Sequence, residues 1–172
     1  MQNLTISKFA RTLILGLFAL GICSCASKEK VPHDPIKNEF MAYTQKFESV
    51  KEGDRYLGVA TYLNPTMPEI RNEREDEFFL LTSYPKEIEI KNVRVNGSDE
   101  NVSVELIADE SELASKEVFK IAWSNRYKIS APKTQKDNLV LSFTTSNGLN
   151  ASVKFRKVSK SMYWHPKLKL DD

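Results

Sequence analysis

The sequence predicts a mainly β domain: a two-layer antiparallel β-sandwich of seven to eight strands with one N-terminal helix. Three observations carry this. From residue 56 onward apolar residues recur with a period of two, as in strands with one buried face. The pairs Asn64-Pro65, Asn96-Gly97 and Asn147-Gly148 punctuate those stretches as turns. No repeated strand–helix alternation, which would build a parallel sheet, occurs between them. Short strands at close spacing suit a sandwich of immunoglobulin-like or transthyretin-like type. At 172 residues the chain has room for one domain and short appendages, with a core that needs no metal or disulfide staple.

Residues 1–24 are an address rather than part of the fold. Met1 to Arg11 carries Lys8 and Arg11 and no acid, and Leu13 to Ile22 is ten apolar or small residues in a row. A charged start followed by an apolar run of about 7–15 residues is a secretory signal. A spanning helix needs about 20 apolar residues. Cys23-Ser24-Cys25-Ala26 follows. The segment resembles the type II signal peptide of bacterial lipoproteins, in which a lipobox precedes a Cys that receives diacylglycerol and becomes the first mature residue. Two registers fit that resemblance. Cys25 has Ile22 three places before it and a small Ser24 just before it; Cys23 has Leu20 and a bulky Ile22. The first is favoured, with Cys23 as the alternative lipidation site. Ser24 and Ala26 also offer an ordinary small-x-small cleavage site. By the same resemblance, Ala26 in place of Asp directs the protein to the outer membrane, facing the periplasm.

The remaining elements follow in order. Residues 25–35 read as a lipidated tether, polar and with two prolines. Residues 36–160 form the helix and sandwich domain, and 161–172 a C-terminal tail. Asp34-Pro35 starts a helix as N-cap and first helical residue. Ile36, Phe40, Tyr43, Phe47 and Val50 then lie on one helical face, which predicts a helix of about 15 residues stopped by Gly53. Tyr56–Leu63 is the first strand; as a fold-level analogy, its ending in Leu63-Asn64-Pro65 resembles the lipoproteins of type VI secretion machines. Glu69–Glu77 reads as a solvated, charge-mixed loop. Phe78–Tyr84 is apolar on both faces, as an internal strand is. Ile88 and Ile90 share one phase and Val93 and Val95 the other, so a bulge falls at Lys91-Asn92. Val102, Val104 and Leu106 alternate with polar residues. Asp109 and Glu112 are spaced as a capping box. Phe119, Ile121, Trp123, Tyr127 and Ile129 share one parity and predict one bent strand or two short ones. Residues 139–155 form a hairpin turning at Asn147-Gly148 in a type I′ turn.

Catalytic signatures are missing. There is no Gly-rich phosphate loop, no GxSxG elbow and no His-Glu-x-x-His pair, and His33 and His165 fall in the tether and tail. Neither a catalytic residue nor a metal site is expected, and no cofactor. The leader takes Lys8 and Arg11 of the 25 basic residues, leaving 23 against 23 acidic ones. A neutral mature chain gives no reason to expect nucleic acid as a partner. Lys154, Arg156, Lys157 and Lys160 form a basic patch, read as a solvent face or guarded sheet edge. In the tail, Tyr163 and Trp164 are candidate partner-binding residues, since such aromatics anchor binding hot spots. Asp99-Glu100-Asn101-Val102-Ser103 resembles the extended acceptor site of bacterial oligosaccharyltransferases, which makes Asn101 a candidate glycosylation site.

These readings predict a membrane-anchored, non-enzymatic envelope lipoprotein that binds or scaffolds another envelope protein, held to the membrane through its N-terminal acyl chains. The alternative is a ligand-binding or hydrolytic domain acting on cell-wall or glycan substrates. A concave pocket with convergent carboxylates favours the alternative; an exposed apolar patch favours the first.

Overall fold

Eight strands pair into two antiparallel sheets stacked as a sandwich, as the periodicity predicts. The computed structural model describes residues 34–70 and 72–158. In chain order the elements are α1 (Pro35–Ala42), β1 (Thr44–Lys51), β2 (Asp54–Tyr62), a 3₁₀ turn (Pro68–Ile70), β3 (Glu77–Tyr84), β4 (Ile90–Val95), β5 (Ser103–Leu106), α2 (Glu112–Ser115), β6 (Asn125–Ala131), β7 (Asn138–Thr145) and β8 (Asn150–Arg156). The larger sheet runs β1-β2-β3-β6-β5 and the smaller β4-β7-β8. Between them lies the main core, in which Tyr56, Phe79, Leu81, Ile129, Leu139 and Leu141 are fully buried. A second, smaller core covers part of the outer face of the larger sheet: Phe40 of α1, Leu63 and Met67 pack on Phe78 and Leu80 of β3. That is why β3 is apolar on both faces.

The helix begins as expected and ends early. Asp34 Oδ1 accepts from the Lys37 N–H at 3.0 Å, and Pro35 opens the first turn. But α1 stops at Ala42, and Phe47 and Val50 belong to β1. Phe40 and Phe47 fit a helical stripe, yet Phe47 between Lys46 and Glu48 also fits a half-buried strand. Eight paired positions with β2, from Thr44↔Thr61 to Lys51↔Asp54, decide for the strand. Gly53 is therefore not a helix stop. Glu52 and Gly53, at φ 53° and 94°, are the two central residues of a hairpin turn, and both take the positive φ of a type I′ turn.

Other turns divide similarly. Asn96 and Gly97 are both at positive φ between Val95 and Ser98, which exchange hydrogen bonds. At Asn147-Gly148 only Gly148 has positive φ, at 83°. The Gly148 N–H donates to Thr145 O at 3.0 Å, so this hairpin turns as a type I turn closed by a glycine bulge rather than as type I′. The bulge in β4 falls between Lys91 and Arg94, with Asn92 at φ 50°. β5 pairs with β6, yet all four of its residues are exposed, because the smaller sheet does not reach over it. The turn at 112–115 is capped by Ser111 Oγ, not by Asp109. Phe119, Ile121 and Trp123 lie in an irregular segment before β6, not in a strand.

Glu77 is not part of a solvated loop. It opens β3 and is 2% exposed. Its carboxylate accepts from Tyr62 Oη at 2.7 Å, from the Thr134 N–H at 3.1 Å and from the Lys157 ammonium. Lys157 also donates to Thr134 O, so it leaves the expected basic patch and ties the end of β8 to the start of β3 across the two sheets. Lys154 and Arg156 are exposed on β8, opposite buried Val153 and Phe155, as expected.

The register also gives the sandwich two distinct poles. The chain enters β1 at Thr44 and leaves β8 at Arg156 at the pole that holds Glu77 and Lys157. At the opposite pole lie the β1–β2 turn, the end of β3 and the start of β6, and Asn147 Nδ2 there meets Asp54 Oδ2 at 3.1 Å.

Candidate functional site

Cys23, Cys25, Tyr163 and Trp164 lie outside the described residues, as do His33, Lys160 and His165. Asn101 is exposed in a left-handed turn at φ 55°, just before β5, at the pole where the chain enters and leaves. Ser103, two residues on, shares a hydrogen bond with Ser130 Oγ at 2.7 Å. Glu73 and Glu75 are exposed and Asp76 half-buried; Lys133 pairs with Glu75, and Arg74 lies 3.6 Å from Asp76. Among the described residues no group of three or more His, Cys, Asp or Glu is placed to hold a metal, and no helix is long and apolar enough to cross a membrane.

The outer face of the larger sheet supplies a surface that the sequence did not single out. Side chains alternate along β1 and β2, so Phe47 and Tyr56 point into the sandwich while Lys46, Glu48, Val50, Arg55, Leu57 and Val59 point outward. On β3, Phe78, Leu80, Thr82 and Tyr84 share that outer face. Near the chain-entry pole, α1 and the 63–70 segment cover it. Towards the other pole the cover runs out. Val50 is 62% exposed and Tyr84, the cross-strand neighbour of Leu57, is 39% exposed.

One wall of this uncovered strip is the excursion between β5 and β6. Arg126 of β6 pins it: its Nε donates to Glu117 Oε2 at 2.9 Å and its Nη1 to Asp109 Oδ1 at 2.7 Å. Lys116, held by Glu69 at 3.1 Å and Glu112 at 3.3 Å, ties the same excursion to the 3₁₀ turn. The Lys116 partners raise its pKa, Glu69 more than Glu112; the Glu69 carboxyl is lowered, first by a backbone N–H and then by Lys116. So fixed, residues 118–121 run alongside β1 and β2 and enclose a groove of about 690 Å³, within the size range of binding pockets. Leu57, Val59, Phe119 and Ile121 line it, and Lys46, Arg55 and Lys120 stand on its rim. The Lys46 ammonium sits 5.2 Å from the centre of the Phe119 ring.

Trp123 ends the same excursion and is 76% exposed, at φ 52°. A bulky residue in the left-handed region carries backbone strain of about 1–3 kcal/mol. Hydrogen bonds hold it there. The Lys86 N–H donates to Trp123 O at 3.1 Å, Asn125 Nδ2 to Lys86 O at 2.7 Å, and Ser124 Oγ to Ile121 O at 2.6 Å. The backbone of Trp123 is thereby placed beside Lys86, two residues past Tyr84.

A second groove, about 640 Å³, lies beside α1, lined by Ile36, Phe40, Met67 and Val118 together with Glu69 and Glu117. Two of its carboxylates are already engaged. Glu69 is paired with Lys116 and Glu117 with Arg126, and the other Glu117 oxygen is sealed from solvent. They do not converge on the groove as an acid–base pair would. In the main core, burial pushes the Tyr56 phenol up to about 12 and also raises that of Tyr127, so both stay neutral packing groups.

A signal for the outer surface was present in the sequence. Tyr56–Leu63 is apolar on both parities, so each face of that strand needs cover. The shared parity of Phe119, Ile121 and Trp123 predicts a bent strand or two short ones, whereas all three belong to an irregular segment outside the sheet. Comparison with protein-family models, with curated proteins and with solved structures finds no match.

Proposed function

We propose that the protein is a non-enzymatic lipoprotein of the bacterial envelope, anchored through acyl chains on Cys25, whose sandwich binds another envelope protein. The observation that carries the binding part is the apolar surface left on the outer face of the larger sheet, where Val50 and Tyr84 are exposed and Leu57, beside Tyr84, is half-buried, together with the exposed Trp123 that ends the neighbouring excursion. Monomeric proteins seldom leave such residues grouped without a partner. The mechanism is tethering: acyl chains confine the domain to two dimensions and raise its effective concentration near a membrane partner. The anchoring part rests on the leader, with its ten-residue apolar run and the Cys pair behind it.

Metabolic labelling tests the anchor. Labelled palmitate enters the wild-type protein and is lost in Cys25→Ser; loss in Cys23→Ser alone moves the site to Cys23, and if neither substitution changes labelling the lipoprotein assignment fails. The intact mass of the native protein also reads Asn101: in a host with an oligosaccharyltransferase, a glycan shift present in wild type and absent in Asn101→Gln assigns that acceptor.

A further inference from the structure

We propose that the groove between β1–β2 and residues 118–121 receives a short apolar segment carrying acidic side chains, contributed by a partner protein. The inference rests on the protein-binding reading and specifies the chemistry of that partner. The floor is apolar: Val59 is buried, and Leu57, Phe119 and Ile121 are half-buried, so each of these three keeps apolar surface that an apolar segment would cover. The rim is not neutral. It carries three cations, Lys46, Arg55 and Lys120, against a single carboxylate, Glu48. Glu48 is already taken, since its Oε1 accepts from Arg55 Nε at 2.5 Å. Lys46 and Lys120 therefore have no ion-pair partner among the described residues.

Charge sets the choice of partner. An uncharged apolar segment would bring two ammonium groups to the edge of a drying surface with nothing to pair them, and a basic segment would be repelled. Carboxylates flanking an apolar centre meet both rims at once. Lys46 is pre-positioned by its contact with the Phe119 ring, which limits the side-chain entropy lost when an anion arrives. The second groove, which shares Lys120 and adds Lys37, differs in charge: four carboxylates, Asp34, Glu39, Glu69 and Glu117, line it, and its Lys116 is already paired twice.

The test uses the full lipidated chain in phosphatidylcholine nanodiscs and two capped, labelled peptides, one of alternating leucine and aspartate and one with lysine in place of aspartate. Fluorescence anisotropy is expected to show the aspartate peptide binding roughly tenfold tighter than the lysine peptide. Lys46→Glu combined with Lys120→Glu reverses that preference; both residues are exposed, and an unchanged unfolding midpoint shows that the fold survives. Equal binding of the two peptides, or a preference that the double variant leaves unchanged, overturns the proposal. So does displacement of the aspartate peptide by phosphatidylglycerol nanodiscs, which would make the rim a headgroup site. A photo-adduct from Leu57 in native envelopes, without any charge preference in the peptide assay, discards the acidic-segment chemistry and leaves protein binding standing. Absence of that adduct discards both.

Discussion

Gly58→Ala is expected to be the most damaging single substitution in the domain, costing about 3 kcal/mol or more. Gly58 sits in β2 opposite Phe47 on one side and Ser83 on the other, on the face that points into the sandwich. A Cβ there would lie 2.1 Å from the carbonyl oxygen of Thr82 and 2.8 Å from Cζ of Phe47. The ring can turn aside, but the carbonyl belongs to the central strand of the sheet and cannot move without breaking its ladder. The urea midpoint of Gly58→Ala therefore falls sharply, or the protein fails to accumulate. Adding Phe47→Leu removes the ring contact alone and recovers only part of the loss. A Gly58→Ala protein that unfolds like wild type would mean that β2 and β3 do not meet in this register.

Lys157→Met is expected to cost about 3–5 kcal/mol, because it strands a carboxylate in the interior. Glu77 is 2% exposed, and with Lys157 removed it keeps two neutral donors among the described residues, Tyr62 Oη and the Thr134 N–H. Glu77→Leu combined with Lys157→Met removes both charges and is expected to restore most of the stability, since replacing a buried ion pair by apolar groups is often neutral. Equilibrium unfolding of the two variants separates the outcomes. A single Lys157→Met variant within about 1 kcal/mol of wild type would show that the pair contributes no more than a surface contact does.

These two sites mark how far the sequence could be read. Local signals were legible. Asp34-Pro35 opens α1, Asn96-Gly97 turns the chain, the parity slip at Lys91-Asn92 is a bulge, and the doubly apolar Phe78–Tyr84 is the central strand. Each of these depends on residues within a few positions of one another. Glu77 could not be read, because Lys157, 80 positions away, is what turns an acid in a charged stretch into a buried one. Phe40, Tyr43, Phe47 and Val50 satisfy helical spacing, while Phe47 between Lys46 and Glu48 satisfies strand spacing; only the pairing of β1 with β2 decides between them. The outer groove was hidden for a related reason. Phe119 and Ile121 become its wall through Arg126, which binds Glu117 and Asp109 and lays the excursion against the sheet. No periodicity encodes that contact.

The proposal that the outer face is a partner surface is tested most directly by site-specific photo-crosslinking in intact envelopes of the native host. A photoreactive residue is placed at Leu57 or at Trp123 of the lipidated protein, and as a control at Ser152, which is exposed on β8 of the other sheet. A discrete adduct of one size is expected from Leu57 and from Trp123 and none from Ser152, with the adduct lost when Cys25→Ser releases the protein from the membrane. No adduct from either Leu57 or Trp123, or one equally strong from Ser152, would contradict a partner surface there.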